Sequence, residues 1–144
     1  MSKRKHMLAV GAICTAAIYR VADIPPAPAK VLATQRCEVV DGMAVSAACA
    51  FQKLGGQAHV WARVGEDREA DAMRQALSVE GIDTQGLFTV KGSRSSHATV
   101  IVDGQGQRLV VPFHDRQVDP SPHWLPLDRL DEIDLLHCDV RWPE

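Results

Sequence analysis

Several absences narrow the reading of this 144-residue chain first. No run of one charge occurs: sixteen Lys and Arg stand against eighteen Asp and Glu, a net charge of -2. No basic face or charge run argues for nucleic acid, so the expectation is no nucleic-acid partner. Cys14, Cys37, Cys49 and Cys138 show no C-x-x-C spacing. They read as reduced thiols, three of them in apolar runs where a thiol acts as a small hydrophobe. His59, His97, His114, His123 and His137 are scattered without ligand spacing, which argues against zinc. The longest apolar run, Met7 to Ile18, is too short to span a bilayer. It follows the basic Ser2–His6, and Ala27-Pro28-Ala29 imitates a secretory cleavage site. Tyr19, Arg20, Asp23 and a proline pair separate the two, so the expectation is a cytoplasmic protein with no membrane partner. The stretch Gly11-Ala12-Ile13-Cys14-Thr15-Ala16 also lacks the spaced glycines of a dinucleotide-binding turn.

What is present is a 46% apolar chain, enough for one sizeable core. The stretch Val39-Val40-Asp41-Gly42-Met43-Ala44 through Leu54-Gly55-Gly56 reads as a strand end, a turn and a small-residue helix stopped by a glycine pair. The alanines permit close packing on a sheet. The helix N-terminus leaves N–H groups and a partial positive charge for a hydroxylated or anionic ligand. Met7–Ile13 has the continuous apolar character of a central parallel strand, as does His59–Val64. Asp67 suits the cap of a following helix whose apolar positions Ala70, Met73, Ala76 and Leu77 share one face. Ala98–Val102, Asp103-Gly104-Gln105-Gly106-Gln107 and Arg108–Val111 form the clearest hairpin signal. Ile24-Pro25-Pro26-Ala27-Pro28 is a stiff link, Lys30–Val39 a further strand, and Pro112 to Pro126 a loop-rich crossing with at most a short helix near Trp124. Ile133–Asp139 closes as another buried strand. Strand, loop and helix in alternation imply an α/β fold in which ligands gather at the carboxyl ends of parallel strands.

In that order the segments resemble the ribokinase-like (PfkB) carbohydrate kinases: a first strand ending in Gly11, Asp41-Gly42 opening a helix, Ala62-Arg63-Val64-Gly65-Glu66-Asp67, Glu80-Gly81-Ile82-Asp83-Thr84 and the Asp103–Arg108 hairpin. The resemblance implies a three-layer parallel sheet with a small β lid, here as residues 1–144 of a partial domain. Lid strands are expected near 17–21, 30–39 and 96–111. It also implies ATP-dependent phosphorylation of a sugar or sugar-acid hydroxyl, with ATP and Mg2+ serving the complete enzyme and a homodimer formed through the lid. The family's G-A-G-D motif, which carries the catalytic base, does not occur in this sequence, so no catalytic residue is assigned. The alternative is a non-catalytic remnant or binding module of the same fold. Candidate sugar-binding residues are Asp41, Gly42, Ser46 and Arg141, the last as a fork for an anionic group. Asp139-Val140-Arg141-Trp142, with Ser46 in place of the usual Asn, looks most like the sulfofructose kinase branch. Three departures stand out: Ala16 where the family has an early Asp, Asp41 in place of the first glycine of a pair, and Pro112-Phe113 after the second hairpin strand.

Overall fold

A computed structural model describes residues 4–118 and 122–140. Apolar strands flanked by tight turns build the central layer. The parallel strands are β1 (His6–Val10), β4 (Gln57–Val64), β5 (Leu87–Thr89) and β8 (Leu135–Cys138), in the order β5-β4-β1-β8. Alternation divides their side chains between two faces. Met7, Ala9, Ala58, Val60, Ala62 and Val64 meet the helices α1 (Met43–Lys53) and α2 (Arg68–Val79). Leu8, Val10 and Trp61 face the opposite way, against Trp124, Leu125 and Ile133. The alanine run of α1 places Ala44, Val45 and Ala48 in full burial on the sheet. On α2, Ala70, Met73 and Leu77 are buried, while Ala76 is only partly so. No helix among the described residues is long and apolar enough to cross a membrane.

The second sheet is the lid, made of β2 (Cys14–Arg20), β3 (Gln35–Asp41), β6 (His97–Val102) and β7 (Arg108–Phe113), in the order β3-β2-β6-β7. Its strands depart from the sequence boundaries. The first begins at Cys14 rather than 17, because β1 stops at Val10 and the chain turns at once at Gly11. Residues 30–34 are not strand: the excursion is closed where Thr34 N–H donates to the Arg20 carbonyl at 2.8 Å, and β3 starts only at Gln35. The 96–111 segment is two strands around an Asp turn. There the buried Asp103 carboxylate accepts from the N–H groups of Gln105 and Gln107, both at 2.9 Å. Pro112 is accommodated inside β7 because β7 is an edge strand. Among the described residues of the crossing, 3-10 segments run over Arg116–Val118, Pro122–Trp124 and Leu127–Glu132, the second at the expected place near Trp124, and the closing strand is limited to Leu135–Cys138.

At the outer edge of the core sheet, β8 pairs among the described residues only with β1, and Leu135 and Leu136 are each about half exposed. An unpaired edge with bare leucines favours association. The 144-residue chain alone is therefore expected to sediment above its 15.7 kDa monomer mass. A monomeric boundary with a sharp thermal transition would contradict this.

Candidate sugar-binding site

The site forms where the carboxyl ends of the core strands meet the lid. After β1 the chain must turn abruptly, and Gly11 allows it with a φ of 153°. A Cβ there would run into the Asp139 carboxylate. Asp139, just past the end of β8 and buried, accepts the Ala12 N–H at 2.7 Å. One carboxylate thus pins the loop between core and lid.

Gly42 is the second pivot. With φ 134° and ψ 152°, it joins β3 to α1 in a conformation that L residues rarely adopt, and a Cβ would collide with the Ala12 carbonyl. Among the described residues no side chain caps α1, which leaves first-turn amides of the helix without a side-chain acceptor. Between these pivots lies a pocket of about 500 Å³, lined among others by Gly11, Cys14, Gly42, Arg63, His97 and Phe113.

Of the residues expected from sequence, Gly42 lines the pocket directly. Asp41 and Ser46 are brought together instead: the Ser46 hydroxyl donates to Asp41 Oδ1 at 3.1 Å, both side chains being solvent-exposed. Asp41 is paired in register with Cys14. Burial first, and the Asp41 charge second, push the Cys14 thiol above its ordinary value, so it stays protonated. Arg141 lies outside the described residues. Ala16, buried in β2 between Val39 and Ala98, supplies no polar group.

Sequence reasoning passed over Arg63, His97 and His114, which also line the pocket. Arg63 had a visible signal: it is a charge within the apolar β4, on the same strand face as Trp61. His97 opens β6 and stacks on Phe113 with ring centroids 4.8 Å apart, and the Arg94 guanidinium sits 5.0 Å from the same ring. The Ser96 hydroxyl and His114 Nδ1 are 2.8 Å apart. Behind this wall, Asp67 caps α2 at the Ala70 N–H and also accepts from the Ser95 N–H and hydroxyl, both at 2.6 Å. Burial raises the pKa of Asp67, but the Ser95 and Ala70 hydrogen bonds and the nearby Arg94 outweigh it, leaving the group below the ordinary carboxylate range.

This arrangement, a β lid over the carboxyl edge of a parallel sheet, has recognisable relatives. The model of the pfkB family carbohydrate kinases matches residues 4–141. The chain belongs to the pfkB family of carbohydrate kinases. It is 32% identical over 110 residues to the bifunctional protein HldE of Magnetococcus marinus, covering 74% of this chain and 22% of that protein. It is 25% identical over 121 residues to the ribokinase of Bacillus subtilis, covering 83% of this chain and 41% of that one. Among solved structures, one from Agrobacterium tumefaciens, provisionally described as a ribokinase, superposes with a TM-score of 0.92 at 38% identity, over 97% of this chain and 46% of that one. The Arabidopsis thaliana ribokinase complexed with ribose and ATP superposes with a TM-score of 0.79 at 17% identity, over 97% of this chain and 46% of that one, a likeness of fold. The pfkB-type chain thus spans less than half the length of each of these relatives. Its α/β fold with a parallel sheet is ribokinase-like.

Proposed function

We propose that this chain supplies the sugar-binding half of a carbohydrate kinase that transfers a phosphoryl group from ATP to a hydroxyl of a sugar or sugar acid. The observation that carries this reading is the pocket between lid and sheet edge, with uncapped α1 amides and Gly42 on its border. Asp41 accepts hydrogen bonds from sugar hydroxyls, Ser46 holds that carboxylate in place, and the lid excludes water from the bound sugar. Arg141, inside the family match, holds an anionic group as a fork; this fits a sulfonated or carboxylated ketose, the substrate type of the sulfofructose kinase branch. Among the described residues no three His, Cys, Asp or Glu side chains gather to hold a metal ion. In this reading the catalytic base and the nucleotide pocket are supplied by the rest of a longer kinase.

The lid also offers a face for a second copy of the chain. Paired rows Cys37-Ile18-Val100-Val110 and Val39-Ala16-Ala98-Pro112 put almost only apolar side chains on one side of it, with Val39 and Val110 well exposed. This supports a homodimer through the lid strands. The alternative, a non-catalytic binding module, uses the same surface without turnover.

Calorimetric titration separates the readings. The purified chain is expected to bind a ketose or ketose acid and to give no heat with Mg-ATP. If every sugar is silent, the kinase reading does not hold for this chain.

A further inference from the structure

The titratable side chains lining the pocket are unevenly chosen. Arg63, His97 and His114 are potential cations, and no Asp or Glu is among the described lining residues. His97 is the best placed of the three to meet a ligand. Its ring is fixed against Phe113, with an interplanar angle of 27°, and among the described residues its nitrogens make no hydrogen bond. It is half-buried at the first position of β6, paired in register with Thr15 and Phe113, so strand pairing on both sides holds its backbone. Two residues upstream, the Ser95 backbone and hydroxyl are tied to Asp67 at the head of α2. The backbone at His97 is therefore held on both sides by the lid strands, and its ring by the stack on Phe113. Arg63 comes to the same cavity from the core sheet, on the β4 face that carries Trp61.

We propose that His97 of the lid and Arg63 of the core sheet are specificity residues that contact an anionic group of the bound sugar. The proposal rests on the sugar-binding reading and deepens it by assigning the acid-recognising contacts within the described pocket. A rigid imidazole and a guanidinium on opposite layers recognise a carboxylate or sulfonate by charge-assisted hydrogen bonds, which a neutral hydroxymethyl group returns only weakly.

D-fructose and 2-keto-D-gluconate make the test direct, since they share their stereochemistry and differ only in a hydroxymethyl group against a carboxylate at C1. Calorimetric titration of the 144-residue chain is expected to show the acid binding at least about tenfold more tightly, a preference that shrinks with added salt. His97→Ala is expected to lower acid affinity about tenfold and fructose affinity less than about twofold. Arg63→Lys, which keeps the charge but loses the fork, is expected to lie between wild type and Arg63→Met. Circular dichroism and thermal melting establish that each variant is folded before it is titrated. Equal affinity for the two sugars overturns the proposal and leaves the sugar-binding reading standing. An equal loss for both sugars in His97→Ala also overturns it, marking His97 as a structural residue. Failure of both sugars to bind the wild-type chain overturns the proposal and the sugar-binding reading together.

Discussion

Gly42→Ala is expected to destabilise the protein by roughly 3 kcal/mol or more and to abolish ligand binding by the folded fraction. Two independent penalties combine at this position. The backbone sits at φ 134°, which by itself costs about 1–3 kcal/mol for a non-glycine residue. The added methyl would also overlap the Ala12 carbonyl, on the loop that Asp139 holds by its 2.7 Å hydrogen bond. Neither side can yield cheaply, because β3 and α1 begin or end within a residue of Gly42 and Ala12 is pinned. Urea denaturation of wild type and variant measures the difference; a change below about 0.5 kcal/mol would show that the turn relaxes freely.

Asp67→Ala ranks second, with an expected loss of about 2–4 kcal/mol. It removes the cap of α2 and leaves the N–H and hydroxyl of Ser95 without their acceptor, at a residue only 1% exposed. The same carboxylate sets a pH dependence. Its folded pKa is lowered below the unfolded value, so its contribution is present above the unfolded pKa, about 3.9, and is lost as pH falls through the lower folded value. Asp67→Asn is expected to lack that part of the acid-induced loss of stability. Parallel stability curves for wild type and Asp67→Asn over the acid range would contradict the assignment.

Much of this architecture was legible because it follows from period and punctuation. The apolar β1 and β4, the alanine-rich α1 ended at Gly55-Gly56, the Asp67 cap and the Asp103 turn each have a local cause that sequence displays. The lid boundaries were less accessible. Where β2 begins depends on the Gly11 turn and on pairing with β3 and β6, and where β3 begins depends on Thr34 reaching back to Arg20. Such partners are 14 or more residues away in the chain, beyond any local pattern. The site divided in the same way. Gly42 announced itself by the strand-turn-helix pattern, whereas His97 enters the pocket only because parallel pairing of β2 with β6 brings the root of the lid to the end of the core sheet. Arg63 was visible as a charge in an apolar strand, but its face could be assigned only once the helices were seen to cover Ala62 and Val64.

The central claim is that sugar binds between the lid and the carboxyl edge of the parallel sheet. Backbone amide NMR of the chain, titrated with 2-keto-D-gluconate, tests it most directly. The expected result is a cluster of saturable shifts at Gly11, Ala12, Cys14, Gly42, Met43, Ser96 and His97, with little change at the Gln57 and Leu135 ends of the core strands. Saturable shifts that avoid the lid and Gly42, or centre on the β8 edge, would contradict it.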